Sequence, residues 1–190
     1  TDTYIRALYH FDGDTDDSSY FSTQGDFTWT AGASLTYMES GAFNGALYLD
    51  SNSHDFRIKL PSRLSSGDFT LQFRYYQASQ ADTLTNRENY IKLGNTQVMT
   101  WDEATLYKST STSMASLSIG SWQELAITRS GGYLYFYHNG LCIAIGQMGA
   151  VHLDRCAADL IGGVDTGGGT AHLRLDECQI VFFCMVCADA

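Results

Sequence analysis

Two runs of alternating aromatic and aliphatic residues, YLYFYH and LCIAI, are joined by Asn139-Gly140. A two-residue hairpin loop of type I′ requires positive φ at both central positions, and Asn-Gly is the dipeptide that tolerates this best. The turn sets the register. With Asn139 and Gly140 as the loop, His138 faces Leu141, Phe136 faces Ile143 and Leu134 faces Ile145, so one face of the pair is almost wholly apolar. The other face carries Tyr133, Tyr135, Tyr137, Cys142 and Ala144. Upstream, a Ser130-Gly131 turn pairs Leu125 with Phe136 and Ile127 with Leu134, which adds a third strand to the same apolar face. Such a sheet needs a second layer to cover it. The pattern therefore predicts an all-β fold, a two-sheet antiparallel β-sandwich with the Trp122–Ile145 meander at its centre.

Period-two alternation recurs along the chain. Residues 4–11 read as the first strand, Phe56, Ile58 and Leu60 alternate with Arg57 and Lys59, and Phe69, Leu71, Phe73 and Tyr75 alternate with Thr70, Gln72, Arg74 and Tyr76. NYIKLGN, TQVMTWD and ATLYKS read as three short strands. The best helical stretch is Asp154–Leu160, DRCAADL, and residues 146–171 otherwise read as a loop-rich, glycine-rich segment. No break in composition divides the 190 residues, so a single domain over 1–190 is expected.

A formal charge of −10 makes nucleic acid and anionic membrane surfaces poor partners, because phosphate binding needs clustered Lys and Arg. No apolar stretch reaches membrane-spanning length, and no signal peptide is visible in TDTYIRALYHF. The five cysteines, at 142, 156, 178, 184 and 187, are odd in number, which points to reduced thiols. Cys184 and Cys187 form one C-x-x-C, without the second pair that a zinc site would need. Asp12, Asp14 and Asp16 alternate as in calcium loops, but Asp17 and Thr23 stand where an EF-hand needs Gly and Glu.

The pattern W-x-x-x-A-x-T-R-x-G-G-x-L-x-x-Y-x-N-G, from Trp122 to Gly140, resembles the laminin-G-like, concanavalin A-like lectin and glucanase superfamily. His10-Phe11-Asp12-Gly13, GAFNGALYLD (41–50), SGDFTLQF (66–73) and LDECQI (175–180) resemble further blocks of that family, in its order. The resemblance implies a jelly roll. It also implies a structural calcium held by the early acidic loop, Asp12, Asp14 and Asp16, with Asp176 of the closing strand; the alternative is a solvated acidic loop. Cys142 and Cys178 stand where the family places aliphatic residues, which implies buried thiols.

Glucanases of this superfamily use an E-x-D-x-E carboxylate arrangement on one strand, and no such triplet occurs here. The histidines lack metal spacing and no G-x-S-x-G elbow is present, so an enzyme is not expected. A binding role is expected instead. Tyr133, Tyr135 and Tyr137, extended by Trp101 and Trp122, form the candidate ligand-binding stripe, whose rings suit sugar C–H faces and protein partners alike. The alternative is that the stripe packs beneath an insertion loop of its own domain. Two functional expectations follow. One is a lectin-like structural or recognition protein on a virion or other extracellular surface, homo-oligomeric through its apolar C-terminal strand around Phe182, Phe183 and Met185. The other is a carbohydrate-binding module with a glycan as partner.

Overall fold

The computed structural model describes residues 5–14, 16, 18, 26–29, 36–38, 41–42, 44–49, 56–59, 68–77, 87–93, 96–101, 105–109, 112–147, 158–165 and 173–181. All regular elements among them are strands: β1 (Ile5–Tyr9), β2 (Asp26–Trp29), β3 (Thr36–Met38), β4 (Ala46–Leu49), β5 (Phe56–Lys59), β6 (Phe69–Gln77), β7 (Arg87–Leu93), β8 (Thr96–Trp101), β9 (Thr105–Lys108), β10 (Thr112–Ser116), β11 (Trp122–Ser130), β12 (Tyr133–His138), β13 (Leu141–Gln147), β14 (Ala158–Asp165) and β15 (Leu173–Val181). They form two antiparallel sheets. The first runs β13-β12-β11-β6-β15-β4-β3, with β1 also paired to β15; the second runs β10-β9-β8-β7-β14-β5-β2. The predicted β-sandwich is the observed fold.

The core follows from the alternation. Phe69, Leu71, Phe73 and Tyr75 on β6, Leu125 and Ile127 on β11, and Leu134 and Phe136 on β12 are all buried on the inner face of the first sheet. Met99 and Leu106 are buried in the second. The meander forms one flank of its sheet rather than the centre, since β6 and β15 lie inside it and β13 is an edge strand. At that flank the two sheets meet. Edge strand β10 lies against β13, and a Cβ on Gly146 would come within 3.6 Å of both Lys108 Cδ and Phe136 Cε2.

Three sequence-based expectations change here. Ser130 pairs with Tyr133, so the upstream loop is Gly131-Gly132, with φ of 55° and 87°, and Leu125 opposes His138 instead of Phe136. A slip of two leaves every side chain on its expected face. The second change is larger. The Asn139-Gly140 turn is as predicted, with φ of 49° and 78°, but a β-bulge at Ile143 shifts the register so that Phe136 opposes Ala144 and Tyr135 opposes Ile145. Beyond the bulge inside and outside exchange: Ile145 is 55% exposed, and Gly146 takes the inner place opposite Leu134. Leu141 at 72% and Cys142 are exposed as well. The buried thiol expected at Cys142 is thus an exposed one outside any disulfide. Third, Ala158–Leu160, the end of the helical candidate, begins β14, which pairs with β5 and β7 and absorbs Gly162-Gly163 in an irregularity between Ile161 and Val164. Cys178 is described by its strand register alone, opposite Tyr9. Cys156, Cys184, Cys187, Phe182, Phe183 and Met185 lie outside the described residues.

Polar side chains tie the meander to its loops. Asp68 Oδ1 accepts from Gly131 N at 3.2 Å, which joins the glycine turn to the start of β6. Buried Gln123 holds the 118–121 loop, with Oε1 accepting from Ser118 N (3.0 Å) and Nε2 donating to Ser118 O (2.8 Å). Those two backbone partners fix which end of the amide is oxygen. His138 Nε2 lies 2.9 Å from the same Oε1 and 3.3 Å from Asn139 Nδ2. Burial lowers the His138 pKa from 6.5, so the native state favours neutral imidazole while the unfolded chain takes up a proton more readily. Stability is then complete above pH 6.5 and declines as pH falls below it, where the unfolded state binds the extra proton. Thermal unfolding at pH 7.5 and 5.5 should show a larger drop for the wild type than for His138→Gln; an equal drop would place the loss elsewhere.

Candidate functional site: the outer face of the first sheet

Even-numbered residues of β6 and β11 and odd-numbered residues of β12 share the face turned away from the core. Strand pairing arranges them in rows. Tyr76 pairs with Trp122 and Arg74 with Glu124; Gln72, Ala126 and Tyr137 form the next row; Thr70, Thr128, Tyr135 and Ile145 the one after; Ser130, Tyr133 and Gln147 the last. The aromatic members are accessible: Tyr133 is 41% exposed, and Trp122, Tyr76, Tyr135 and Tyr137 are half-buried. Between them Ala126 and Thr128 are 7% and 3% exposed, short side chains forming a floor below taller neighbours. Thr70 Oγ1 and Thr128 Oγ1, 2.9 Å apart, close that floor with a cross-strand hydrogen bond.

The row nearest the Asn139-Gly140 turn has the most varied chemistry. Tyr76 and Trp122 rings meet at 5.5 Å with planes tilted by 50°. Two residues along the same strands, Arg74 Nη2 lies 3.8 Å from Glu124 Oε2, with side chains 35% and 30% exposed. Asn139 steadies this corner, because Glu124 N donates to its Oδ1 and Asn139 N donates to Glu124 O, both at 2.9 Å. Strand β15 adds Asp176 in register with Arg74, so the row runs Asp176, Arg74, Glu124 along the backbone.

Of the five residues predicted for ligand binding, the structure brings Tyr133, Tyr135, Tyr137 and Trp122 onto this face. It does not bring Trp101, which sits on β8 of the second sheet, paired with Leu106 and Asn89. Tyr76 and Arg74 are further residues of this face that the sequence analysis does not single out. Their outward alternation on β6 was visible, but only the pairing of β6 with β11 sets them beside Trp122 and Glu124.

The three aspartates of the early loop are engaged in local hydrogen bonds. Asp12 Oδ1 accepts from Gly45 N at 2.7 Å and Oδ2 from Asn44 Nδ2 at 3.3 Å, while Asp14 Oδ1 accepts from Asp16 N at 3.1 Å. Asp176 is described by its register alone, opposite Arg74. Among the described residues no group of three or more His, Cys, Asp or Glu side chains is placed to hold a metal ion. Asp12 pins the 41–45 turn, and the fit is close: a Cβ at Gly45 would lie 2.9 Å from Phe11 O. Asp12→Ala should therefore lower the thermal midpoint by a similar amount in calcium-loaded and chelator-treated protein. A loss confined to the calcium-loaded sample would assign the loop to metal binding instead.

No family model matches the sequence, and no curated protein does. Solved structures do. Domain 4 of AbnA, a GH43 extracellular arabinanase from Geobacillus stearothermophilus, in complex with arabinotriose, superposes with a TM-score of 0.65 at 20% identity over 94% of this chain and 92% of that one. The binding domain of Paraclostridial Mosquitocidal Protein 1 gives 0.68 at 13% identity, covering 96% of this chain and 49% of the other. A mutant of Trypanosoma rangeli sialidase displaying trans-sialidase activity gives 0.67 at 10%, covering 94% and 30%. At these identities the likeness is one of fold. It carries the β-sandwich, and the five sequence blocks remain a resemblance to the laminin-G-like superfamily.

Proposed function

We propose that this chain is a non-catalytic carbohydrate-binding domain that takes its ligand on the outer face of the first sheet. One observation carries the reading: Trp122, Tyr76, Tyr133, Tyr135 and Tyr137 crowd one accessible sheet face, around a floor of Ala126 and Thr128. Aromatic rings present flat apolar faces to sugar C–H groups, and their polar tips reach hydroxyls. The expectation that the stripe packs beneath an insertion loop is disfavoured by Tyr133 and Ile145, which both remain exposed. The arabinanase domain solved with arabinotriose and the toxin binding domain give the proposal a fold-level analogy only. Binding without turnover is part of the proposal. Glu124 is bound up with Arg74 and has Trp122 and Ala126 as its same-face neighbours on β11, and the other carboxylate of its row, Asp176, stands two strands away with Arg74 between them, roughly 10 Å by strand spacing against about 5 Å for a retaining pair.

A broad glycan array probed with the labelled domain tests this directly. Reproducible binding to a related set of glycans, competed by the same glycans in solution, is expected. An array blank at micromolar protein would end the proposal and favour the alternative of an architectural protein on a virion or cell surface.

A further inference from the structure

We infer that the ligand is an uncharged glycan chain, several sugars long, gripped through adjacent hydroxyls by the Arg74–Glu124 pair while one ring stacks on Trp122. This rests on the carbohydrate-binding reading above and deepens it.

The pair itself is the first argument. At 3.8 Å and about one-third exposed, it contributes little to stability, because such pairs are screened and lose side-chain entropy. Its chemistry is nevertheless complementary. A carboxylate only accepts hydrogen bonds and a guanidinium only donates them, whereas a sugar hydroxyl does both. Two neighbouring hydroxyls, one donating to Glu124 and one accepting from Arg74, satisfy both groups without adding charge. The aromatic pair lies two residues along the same strands, roughly 7 Å away, which is within the reach of one sugar ring and its substituents.

Charge is the second argument. An anionic sugar would use Arg74, and Arg174 stands in register with Tyr76, but it would set its carboxylate or sulfate against Glu124, with Asp176 in the same row, on a protein of formal charge −10. Uncharged chains meet no such repulsion.

Chain length comes from the spacing of the platforms. Tyr137 pairs with Ala126, four residues along β11 from Trp122, so the two aromatic positions are roughly 14 Å apart by strand rise and spacing. A monosaccharide cannot touch both. A chain laid over the Ala126 and Thr128 floor can.

The test compares immobilised uncharged oligosaccharides (arabinotriose, xylotriose, cellotriose and a mixed neutral array) with oligogalacturonate and heparin, using wild type, Glu124→Gln and Arg74→Gln. We expect binding within the neutral set only, a loss of tenfold or more in both variants at unchanged thermal midpoint, and at least tenfold weaker competition by the corresponding monosaccharide. Preferential binding of oligogalacturonate or heparin would overturn the inference while leaving the carbohydrate reading intact. Neutral binding untouched by both substitutions would also overturn it. No binding to any glycan would remove the underlying reading itself.

Discussion

Trp122→Ala is expected to weaken glycan binding by roughly 30-fold or more, the equivalent of about 2 kcal/mol for loss of a central aromatic contact. The ring is the broadest apolar surface on the face, it is half-buried, and Tyr76 holds it in a tilted contact at 5.5 Å. Trp122 lies on the outer side of β11, away from Leu125 and Ile127, so its removal should leave the core intact. Trp122→Phe should recover part of the affinity, because a smaller ring still stacks. If Trp122→Ala binds as the wild type does, the sugar is not on this platform.

The largest loss of stability is expected from Phe73→Ala. Phe73 is fully buried on β6 and pairs with Leu125 of β11, which is also fully buried, at the middle of the sheet's inner face. Deleting a buried phenyl ring removes its transfer free energy and leaves a cavity, together costing about 3–5 kcal/mol. Domains hold only about 5–15 kcal/mol of stability in all. For a chain of this size the midpoint should fall by roughly 6–20 °C, and Phe73→Leu should fall by less. Denaturant melts of both variants check this. A change below about 1 kcal/mol for Phe73→Ala would mean that the inner face is not packed as described.

How far the sequence discloses this molecule depends on whether the deciding contact is local. The Asn139-Gly140 turn is local: two positive φ values need Asn and Gly, and the turn is where the dipeptide puts it. The Gly131-Gly132 loop was misplaced by one residue without consequence, because the pairing slips by two and two strand residues restore the face. The bulge at Ile143 is different. No Gly or Pro announces it in LCIAI, and the features that accompany it are tertiary, with Lys108 of the other sheet passing the inner position that Gly146 fills. One added residue there turned Ile145 outward and upset the expectation of a wholly apolar inner pair. Likewise β14 was unreadable, since its partners β5 and β7 are far away in the chain and DRCAADL alone suits a helical turn. The site divides the same way. Alternation on β11 and β12 gathers Trp122 with the tyrosines, but only long-range pairing adds Tyr76 and Arg74 and sends Trp101 to the other sheet.

The most direct measurement of the central claim is a backbone amide NMR titration with a neutral oligosaccharide that binds on the array. The account predicts shift changes concentrated at residues 72–76, 122–128 and 135–139, along β6, β11, β12 and the Asn139 turn. Changes confined instead to residues 10–18 and 41–45, at the Asp12 loop and the turn it pins, would contradict it.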